Sequence, residues 1–323
     1  MTDIDRIRAA RTRAAGKILK TPVLSSPALD AVAGRRLLVK AECLQYTGSF
    51  KARGGWSAIS AMDPETRARG ILAYSSGNHA QGVARAAQAF GVPAVIIMPA
   101  DAPQSKIDGT KSYGAEVVTY DRETESREDI GAALSAERGL TLVRPYDQPD
   151  VIAGQGTVGL EIAEQTKGLE LGPTDVIVCA GGGGLASGIA LALEAEARHL
   201  RVRTSEPVGF DDVARSLVSG KRESNERLSG SVCDAILTPC PGELTFPILS
   251  RLAGPGLTIT DEEAMRAVAL AFRHLKIVVE PGGAAGLAAA LFRRDQIEGD
   301  TVIAVATGGN VDTARFSEAI LNY

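Results

Sequence analysis

Cysteine, histidine and aromatic residues are scarce in this sequence, and neither sign of charge dominates. The 323 residues include four cysteines, three histidines and 4% aromatics. The cysteines form no CxxC pair and are too sparse for a disulfide framework, so we expect free, buried thiols in a reducing compartment. Lysine and arginine number 35 against 39 aspartates and glutamates. No basic field is therefore available to attract nucleic acid.

Long apolar runs and targeting segments are also missing. No stretch approaches the roughly 18 to 20 apolar residues that a membrane-spanning helix needs. The first twenty residues carry Asp3 and Asp5 and lack an apolar centre, unlike a secretory signal or a transit peptide. We therefore expect a cytoplasmic protein that does not span a membrane.

Short β-branched runs alternate with longer amphipathic segments along the chain. Strands are predicted at 37–41, 71–75, 94–98, 116–120, 175–180 and 301–306. Helices are predicted at 79–90, 126–138, 185–199 and 261–275, the last with Thr260 as its cap. This alternation predicts an α/β protein built from two open, twisted, mostly parallel sheets flanked by helices.

The βα units between residues 66 and 147 form a compact run, which predicts a small mobile domain. Residues 1–65 and 148–323 then form the large domain, with the site between the two. The strand at 37–41 could join either sheet. The polar, aperiodic segment 219–241 is interpreted as an exposed connection.

Four consecutive glycines, Gly181, Gly182, Gly183 and Gly184, follow a predicted strand and precede a predicted helix. Glycines allow close backbone approach, and the amides and dipole of a helix N-terminus attract a phosphate. The pattern favours a phosphate site over a plain tight turn. An NAD site is not supported, because no acidic residue ends a following strand about twenty residues on, and no P-loop motif occurs.

A lysine follows a Gly-Ser turn in the segment Thr47–Lys51, next to the bulky Phe50. Burial of Lys51 would lower its pKa and free the amine for Schiff-base chemistry. A lysine at a helix start that faces water is the alternative, and residue type alone favours it.

The predicted strand at 71–75 ends in a polar turn that carries two hydroxyls, an amide and an imidazole. The residues of this turn are Ser75, Ser76, Gly77, Asn78 and His79. Such a turn at a helix N-terminus can receive a carboxylate. An ordinary N-cap explains one of these residues but not all of them. A Ser-His hydrolase is disfavoured, because the chain has three histidines and no GxSxG motif.

Two late glycine turns begin at Glu280 and Thr307, each before a predicted helix or after a predicted strand. Ligands of open parallel sheets lie beyond the carboxyl ends of the strands, where all of these motifs fall. The shared location predicts one site that holds a phosphate and a small anionic substrate.

In order, these motifs resemble the serine/threonine dehydratase and serine racemase group of fold type II pyridoxal-phosphate enzymes, whose fold is like that of the tryptophan synthase β chain. The resemblance spans nearly the whole chain and rests on the following segments: TGSFKARG (47–54), SSGNHAQG (75–82), GQGTVGLEI (154–162), GGGGLASG (181–188), EPGGAAG (280–286) and TGGNVD (307–312).

The resemblance implies a role for each matching residue. Lys51 carries pyridoxal 5′-phosphate (PLP) as a Schiff base and moves the α-proton, and Ser76 works on the opposite face of the substrate unless it is only a helix cap. The implied cofactor contacts are Phe50, Lys51, Asn78, Gly181, Gly182, Gly183, Gly184, Glu280 and Thr307, the last being a neutral partner for the pyridine nitrogen. The substrate carboxylate would lie against Ser75, Ser76, Gly77, Asn78 and His79.

Two further matches carry an alternative each. Glu206, Phe210 and Asp212 resemble a divalent-cation site, for Mg²⁺ or else Ca²⁺ or Mn²⁺, with a solvated acidic turn as the alternative. Arg127 matches an arginine that approaches the substrate in racemase-like members and would suit a second carboxylate. A surface arginine paired with neighbouring acids is the alternative there.

The implied activity is dehydration of a small β-hydroxy-α-amino acid, L-threonine or L-serine first, to a 2-oxo acid and ammonia. A 3-hydroxyaspartate dehydratase and an amino-acid racemase are the alternatives, and the cysteine synthase branch matches less well. A non-catalytic binding protein is disfavoured by the intact Lys51. A homodimer is the default for this group, and a C-terminal isoleucine-binding regulatory domain is not expected.

Overall fold

The computed structural model, which describes residues 2–75, 77–102, 104–121 and 123–323, confirms the predicted alternation of strands and helices. The strands are β1 (Val23–Ser25), β2 (Arg36–Ala41), β3 (Ile71–Tyr74), β4 (Ala94–Pro99), β5 (Glu116–Tyr120), β6 (Thr141–Leu142), β7 (Thr174–Cys179), β8 (Leu200–Pro207), β9 (Leu257–Ile259) and β10 (Thr301–Ala306). The helices are α1 (Ile4–Ala14), α2 (Pro27–Ala33), α3 (Lys51–Ala61), α4 (Pro64–Arg69), α5 (Asn78–Phe90), α6 (Gln104–Lys111), α7 (Arg127–Arg138), α8 (Pro149–Thr166), α9 (Gly184–Glu196), α10 (Asp212–Ser219), α11 (Thr245–Leu252), α12 (Asp261–Leu275), α13 (Pro281–Phe292) and α14 (Thr313–Asn322).

The strands form two sheets, as predicted. The larger has the order β1-β2-β10-β7-β8-β9, and the smaller has the order β5-β4-β3-β6. All neighbours pair in parallel except β1 and β2. The strand at 37–41, for which the sequence left both sheets open, lies in the larger sheet between β1 and β10.

Continuous apolar runs form the central strands because helices cover both faces of a parallel sheet. Every residue of β4 and β7 is buried. Helix α12 begins at the predicted cap, where the Thr260 hydroxyl accepts from the Glu263 amide and the Glu263 carboxylate accepts from the Thr260 amide. Strong local signals of this kind locate the elements well.

Strand β8 does not stand out in the sequence because arginines interrupt its apolar pattern. Arg203 is nevertheless 5% exposed, and its guanidinium donates to Asp175 Oδ2 at 3.1 Å. Arg201 donates to Oδ1 of the same carboxylate at 3.0 Å. The charges of β8 are thus neutralised by a residue of the adjacent strand β7.

Helix α8 is rich in glycine, which is unfavourable within a helix. A Cβ on Gly156 would lie 2.9 Å from the Gly188 carbonyl oxygen, and one on Gly159 would lie 2.8 Å from Ala192 Cβ. These glycines therefore let α8 pack closely against α9.

The segment 219–241 is largely exposed, as expected, and its one described element is the 3₁₀ turn Asp234–Ile236. Cys43, Cys179, Cys233 and Cys240 are free, and the first three are buried. Among the described residues, no helix combines the length and the apolar character needed to cross a bilayer.

Candidate active site

The predicted site motifs meet at the carboxyl ends of the strands. After β2, the Phe50 amide donates to the Thr307 carbonyl after β10 at 3.0 Å, and Ser49 forms a β-bridge with Gly308. The helix that carries Lys51 is thereby joined to the end of the central strand. The segments around Phe50 and Thr307, which are far apart in the sequence, are thus adjacent in the site.

Lys51 is the first residue of α3 and is partly buried. Its Nζ donates to the Pro145 carbonyl at 2.7 Å. Burial lowers the pKa of Lys51 to about 8. Roughly a tenth of such an amine is neutral at pH 7, against less than about a thousandth for an ordinary lysine. The amine is thus prepared for the Schiff-base chemistry inferred from the sequence.

A strained turn precedes this lysine. Thr47 has a positive φ of 60°, which is unusual for a β-branched residue. Asn310 Nδ2 donates to the Thr47 carbonyl at 2.7 Å and to Asn78 Oδ1 at 2.6 Å. Asn78 Nδ2 in turn donates to Glu280 Oε1 at 2.6 Å. These linked hydrogen bonds of the Asn310 and Asn78 side chains fix the turn at Thr47, which precedes Lys51.

Glu280 lies at the buried end of this network and is 4% exposed. Burial raises the pKa of its carboxyl, and the hydrogen bond from Asn78 opposes that effect. The Glu280 amide donates to the Gly308 carbonyl at 2.9 Å. Both late glycine turns of the sequence therefore belong to the site.

The four glycines form the N-terminus of α9, where Gly183 has a φ of 87° and, in the described part of the chain, no side chain caps the helix. Tyr146 packs on them so closely that a Cβ on Gly182 would lie 2.2 Å from its ring. Beside Gly181, the Thr238 hydroxyl oxygen is buried and has no hydrogen-bond partner among the residues that the structure describes. An uncapped helix N-terminus with an unpartnered hydroxyl suits a phosphate group.

Thr307, the predicted neutral partner of a pyridine nitrogen, is 3% exposed. Its hydroxyl lies 3.2 Å from Cys179 Sγ at the end of β7. Burial raises the pKa of Cys179 to about 11, so the thiol is neutral. The Thr307 hydroxyl and the Cys179 thiol therefore form an uncharged pair at the site.

In the predicted carboxylate turn, the Gly77 amide donates to Ser75 Oγ at 3.1 Å, and no side chain of a described residue caps α5. The His79 ring is buried with Nε2 2.9 Å from the Val143 carbonyl. Burial, aided by the Lys51 charge, lowers the pKa of His79 to about 3. This neutral ring donates to the protein itself. Ser76 lies outside the described residues.

Arg127 begins α7 and is half exposed. Its Nε donates to Glu128 Oε1 at 2.8 Å, which is the surface pairing left open as the alternative. Its guanidinium also lies 5.9 Å from the centre of the Tyr74 ring. Burial raises the pKa of Tyr146, and the Arg127 charge opposes that shift.

Of the three residues matched to a cation site, Glu206 lies in β8, Phe210 follows that strand, and Asp212 begins α10. Glu206 is fully buried and accepts from the Val213 and Ala214 amides at 2.9 and 2.8 Å. Asp212 Oδ1 accepts from Asn225 at 2.6 Å, while its Oδ2 is buried and has no partner within the described ranges. Phe210 is 2% exposed. Within the ranges that the structure covers, no group of three or more His, Cys, Asp or Glu side chains could hold a metal ion.

The residues present fit a phosphate-bearing aldehyde cofactor. Besides the glycine loop and the Lys51 amine, Ser49 Oγ is buried without a partner two residues before Lys51. Pro145, Tyr146, Cys179 and Asn310 also line the site but were assigned no role from the sequence. Asn310 belongs to a recognised motif, whereas Pro145 and Tyr146 carried no signal.

Replacing Gly183 with alanine is expected to weaken cofactor binding by about tenfold, because the left-handed backbone presents the loop amides to the phosphate. Gly168 provides a control for the backbone strain: it has the same φ of 87°, and no atom of a described residue lies within 4 Å of its Cβ position, whereas a Cβ on Gly183 would lie 3.0 Å from Leu249 Cδ1. Both alanine variants should lose about 1–2 kcal/mol of unfolding free energy. Equal cofactor affinity in the two variants, measured by titration of the apo protein, would contradict the phosphate assignment.

Comparison with known proteins agrees with this geometry. The family model "Pyridoxal-phosphate dependent enzyme" matches residues 15–308. An L-threo-3-hydroxyaspartate ammonia-lyase of Pseudomonas sp is 42% identical over 98% of this chain and 97% of that protein. An L-threonine ammonia-lyase of Thermotoga maritima is 36% identical over 97% of this chain and 76% of that protein. The maize serine racemase structure superimposes with a TM-score of 0.91 at 37% identity, covering 99% of this chain and 97% of that one. The chain therefore belongs to the pyridoxal-phosphate dependent enzymes of fold type II, as its motifs predict.

Proposed function

We propose that this enzyme is an ammonia-lyase that dehydrates a small β-hydroxy-α-amino acid, with L-threonine or L-serine as the first candidates. The observation that carries the proposal is the Lys51 amine, whose pKa is lowered to about 8. It hydrogen-bonds to Pro145, next to the tyrosine that packs on the glycine loop. The relatives that act as ammonia-lyases support the same reaction class.

Each part of the site has a task in this reaction. Gly181–Gly184 and Thr238 would hold the cofactor phosphate, Phe50 and Asn78 the ring, and the turn from Ser75 to His79 the substrate carboxylate. Bound PLP supplies the electron sink that makes the α-proton acidic. The neutral Lys51 amine would take that proton and then deliver it to the β-hydroxyl group, which leaves the β-carbon as water. The released enamine becomes an imine, and hydrolysis gives the 2-oxo acid and ammonia.

The neutral Thr307 hydroxyl supports elimination over reactions that need a long-lived carbanion. Its partner Cys179 is also neutral, because burial raises the pKa of the thiol to about 11. Neither group can protonate a pyridine nitrogen fully, so negative charge is not stored on the ring. Rapid loss of a β-leaving group is favoured as a result.

Arg127 favours 3-hydroxyaspartate as a second candidate substrate. Its guanidinium is half exposed and donates to the exposed Glu128 carboxylate, so a second carboxylate of the substrate can take the place of Glu128. A Pseudomonas relative is named for that substrate. Racemisation is a third candidate, supported by the maize serine racemase and by Ser76 in the sequence.

An assay of 2-oxo acid and ammonia release tests these candidates together. The holoenzyme is supplied with L- and D-serine, L- and D-threonine and the stereoisomers of 3-hydroxyaspartate, and interconversion of enantiomers is followed by chiral chromatography. We expect release from L-threonine or L-serine. Release from hydroxyaspartates alone would make Arg127 the specificity residue, and enantiomer exchange that outpaces release would make the enzyme a racemase. No reaction on any substrate would refute the proposal.

We further propose that Glu206, Asp212 and the Phe210 carbonyl hold Mg²⁺ in a structural role, or else Ca²⁺ or Mn²⁺. The buried, unpartnered Asp212 Oδ2 beside a buried second carboxylate supports this proposal, since hard cations prefer such oxygens. After EDTA treatment, Mg²⁺ should raise the Tm by about 3–8 °C.

Asp212→Asn should abolish this response to Mg²⁺. The adjacent Asp211→Asn is the control and should keep it, because Asp211 is partly exposed and lies 3.5 Å from Arg215. If Mg²⁺ leaves the Tm of the EDTA-treated parent protein unchanged, Glu206 and Asp212 belong to an acidic turn that binds no metal.

We also propose a quaternary and domain organisation, which follows from the family resemblance and from the two sheets. We infer a cytoplasmic homodimer, in which residues 66–147 move against residues 1–65 and 148–323 when substrate binds. The smaller sheet, formed wholly between residues 71 and 142, supports such a division. Identical small-angle scattering curves with and without substrate would argue against the movement, and sedimentation gives the oligomeric state.

A further inference from the structure

One ion pair joins the parts of the chain that carry the two sheets, beside the carboxylate turn. Lys106 lies on α6, between β4 and β5 of the smaller sheet. Its Nζ lies 3.3 Å from Oδ2 of Asp234, which belongs to the chain between β8 and β9 of the larger sheet. The Lys106 side chain is 21% exposed and that of Asp234 is 65% exposed. The lysine is therefore the more enclosed member of the pair.

The Lys106 ammonium faces the turn that begins α5. A Cβ built on Gly77 would lie 4.0 Å from Lys106 Nζ. Helix α6 runs alongside the first turns of α5, with the Gly109 Cβ position 3.4 Å from the Gln81 side chain. The Lys106 ammonium is thus held beside the first backbone amides of α5, at the Gly77 turn.

Asp234 approaches the same place from the opposite side. The turn that contains it rests on the start of α13, where a Cβ on Gly282 would lie 3.4 Å from both Ala235 Cβ and the Cys233 carbonyl oxygen. Burial raises the pKa of Glu280, Asp234 adds to that shift, and Lys106 opposes it. Both members of the pair therefore act on the buried carboxyl that bonds to Asn78.

We propose that Lys106 binds the α-carboxylate of the amino-acid substrate at the Gly77 turn, and that Asp234 holds Lys106 until the substrate replaces it. The inference rests on the proposed function and adds to it a specificity residue. Exchanging one carboxylate for another keeps the ammonium paired throughout, so a substrate without a carboxylate gains nothing at this point. Asp234 is a competitor of the substrate in this scheme.

The two members of the pair are consequently expected to give opposite results. In the holoenzyme, Lys106→Met should raise the KM at least about tenfold with kcat nearly unchanged, because one charge-assisted hydrogen bond to the substrate is lost. Asp234→Asn should lower the KM by about two- to fivefold, and Lys106→Arg should restore most of the affinity. Lys111→Met, which alters another lysine of α6 that is exposed, is the control and should leave the KM unchanged.

Calorimetric titration of the holoenzyme with malonate, which carries carboxylates but no amine, tests the site without turnover. The dissociation constant should rise in Lys106→Met and fall in Asp234→Asn. If malonate binding weakens similarly in both variants, the ion pair only holds the two parts of the chain together, and the proposal is wrong. Unchanged malonate binding in Lys106→Met would also overturn it. If malonate follows the expected pattern while no amino acid is dehydrated, the proposed reaction fails and the carboxylate site stands.

Discussion

Lys51→Ala is expected to abolish turnover, with a fall in rate of at least about 10³-fold, and to remove the visible absorbance of lysine-bound cofactor. Lys51 combines a pKa that burial lowers to about 8 with a hydrogen bond to the Pro145 carbonyl. Lys51→Arg should be equally inactive, because a guanidinium keeps its proton at any working pH. The variants are compared with the parent protein by absorbance spectra and by 2-oxo acid release.

Lys167→Ala is the control for this experiment, since Lys167 is exposed at the end of α8. It should retain the parent spectrum and rate. Turnover by Lys51→Ala at more than about a hundredth of the parent rate would show that another group moves the α-proton. That result would remove the central claim of the proposed function.

Arg53→Met should cost about 3–5 kcal/mol of unfolding free energy, because it leaves the buried Glu42 carboxylate without its guanidinium partner. Arg53 is 2% exposed. Its guanidinium donates to both Glu42 oxygens at 2.7 Å and to the two Glu161 oxygens at 2.7 and 2.9 Å. Lys40 Nζ also contacts Glu161. Urea denaturation at pH 7 measures the loss.

The pH dependence of that loss has a definite sign. Burial acts to raise the pKa of Glu42, but the contacts with Arg53 hold it below the ordinary value. In the parent protein this stabilisation is present above the unfolded-state pKa and is lost as the pH falls. Without Arg53 the pKa of Glu42 should rise, so the deficit of the variant should shrink between pH 7 and pH 5.

Arg11→Met supplies the surface comparison. Arg11 is paired with Glu164, and both side chains are about half exposed, so its removal should cost less than about 1 kcal/mol. A loss in Arg53→Met no larger than this would mean that water replaces the guanidinium in the core.

Local sequence patterns predicted most of the fold but could not reveal features that depend on distant partners. The buried runs of β4 and β7 and the Thr260 cap are local, and each was recognised. Strand β8 was not, because the charge of Arg203 is compensated only by Asp175 on the neighbouring strand. Strands of two or three residues, such as β6 and β9, are too short to carry a pattern.

The same distinction applies to the site. The glycine turns and the Lys51 segment are contiguous motifs, so the sequence identified them and the family. Pro145 became visible only through its bond to Lys51, and Cys179 only through Thr307. Lys106 and Asp234 are 128 residues apart in the chain, and nothing in either segment indicates the other.

The order of the larger sheet also bears on how the protein forms during translation. Thr301 of β10 pairs with Arg36 of β2, so the ribosome must add most of the polypeptide before β2 acquires β10 as its second neighbour beside β1. At synthesis rates of about 5–20 residues per second, that delay is roughly 15–50 s. The smaller sheet, complete by Leu142, can assemble in the meantime. A nascent chain thus carries an apolar, unpaired β2 edge for most of its synthesis, and this segment is where we expect chaperones to bind first.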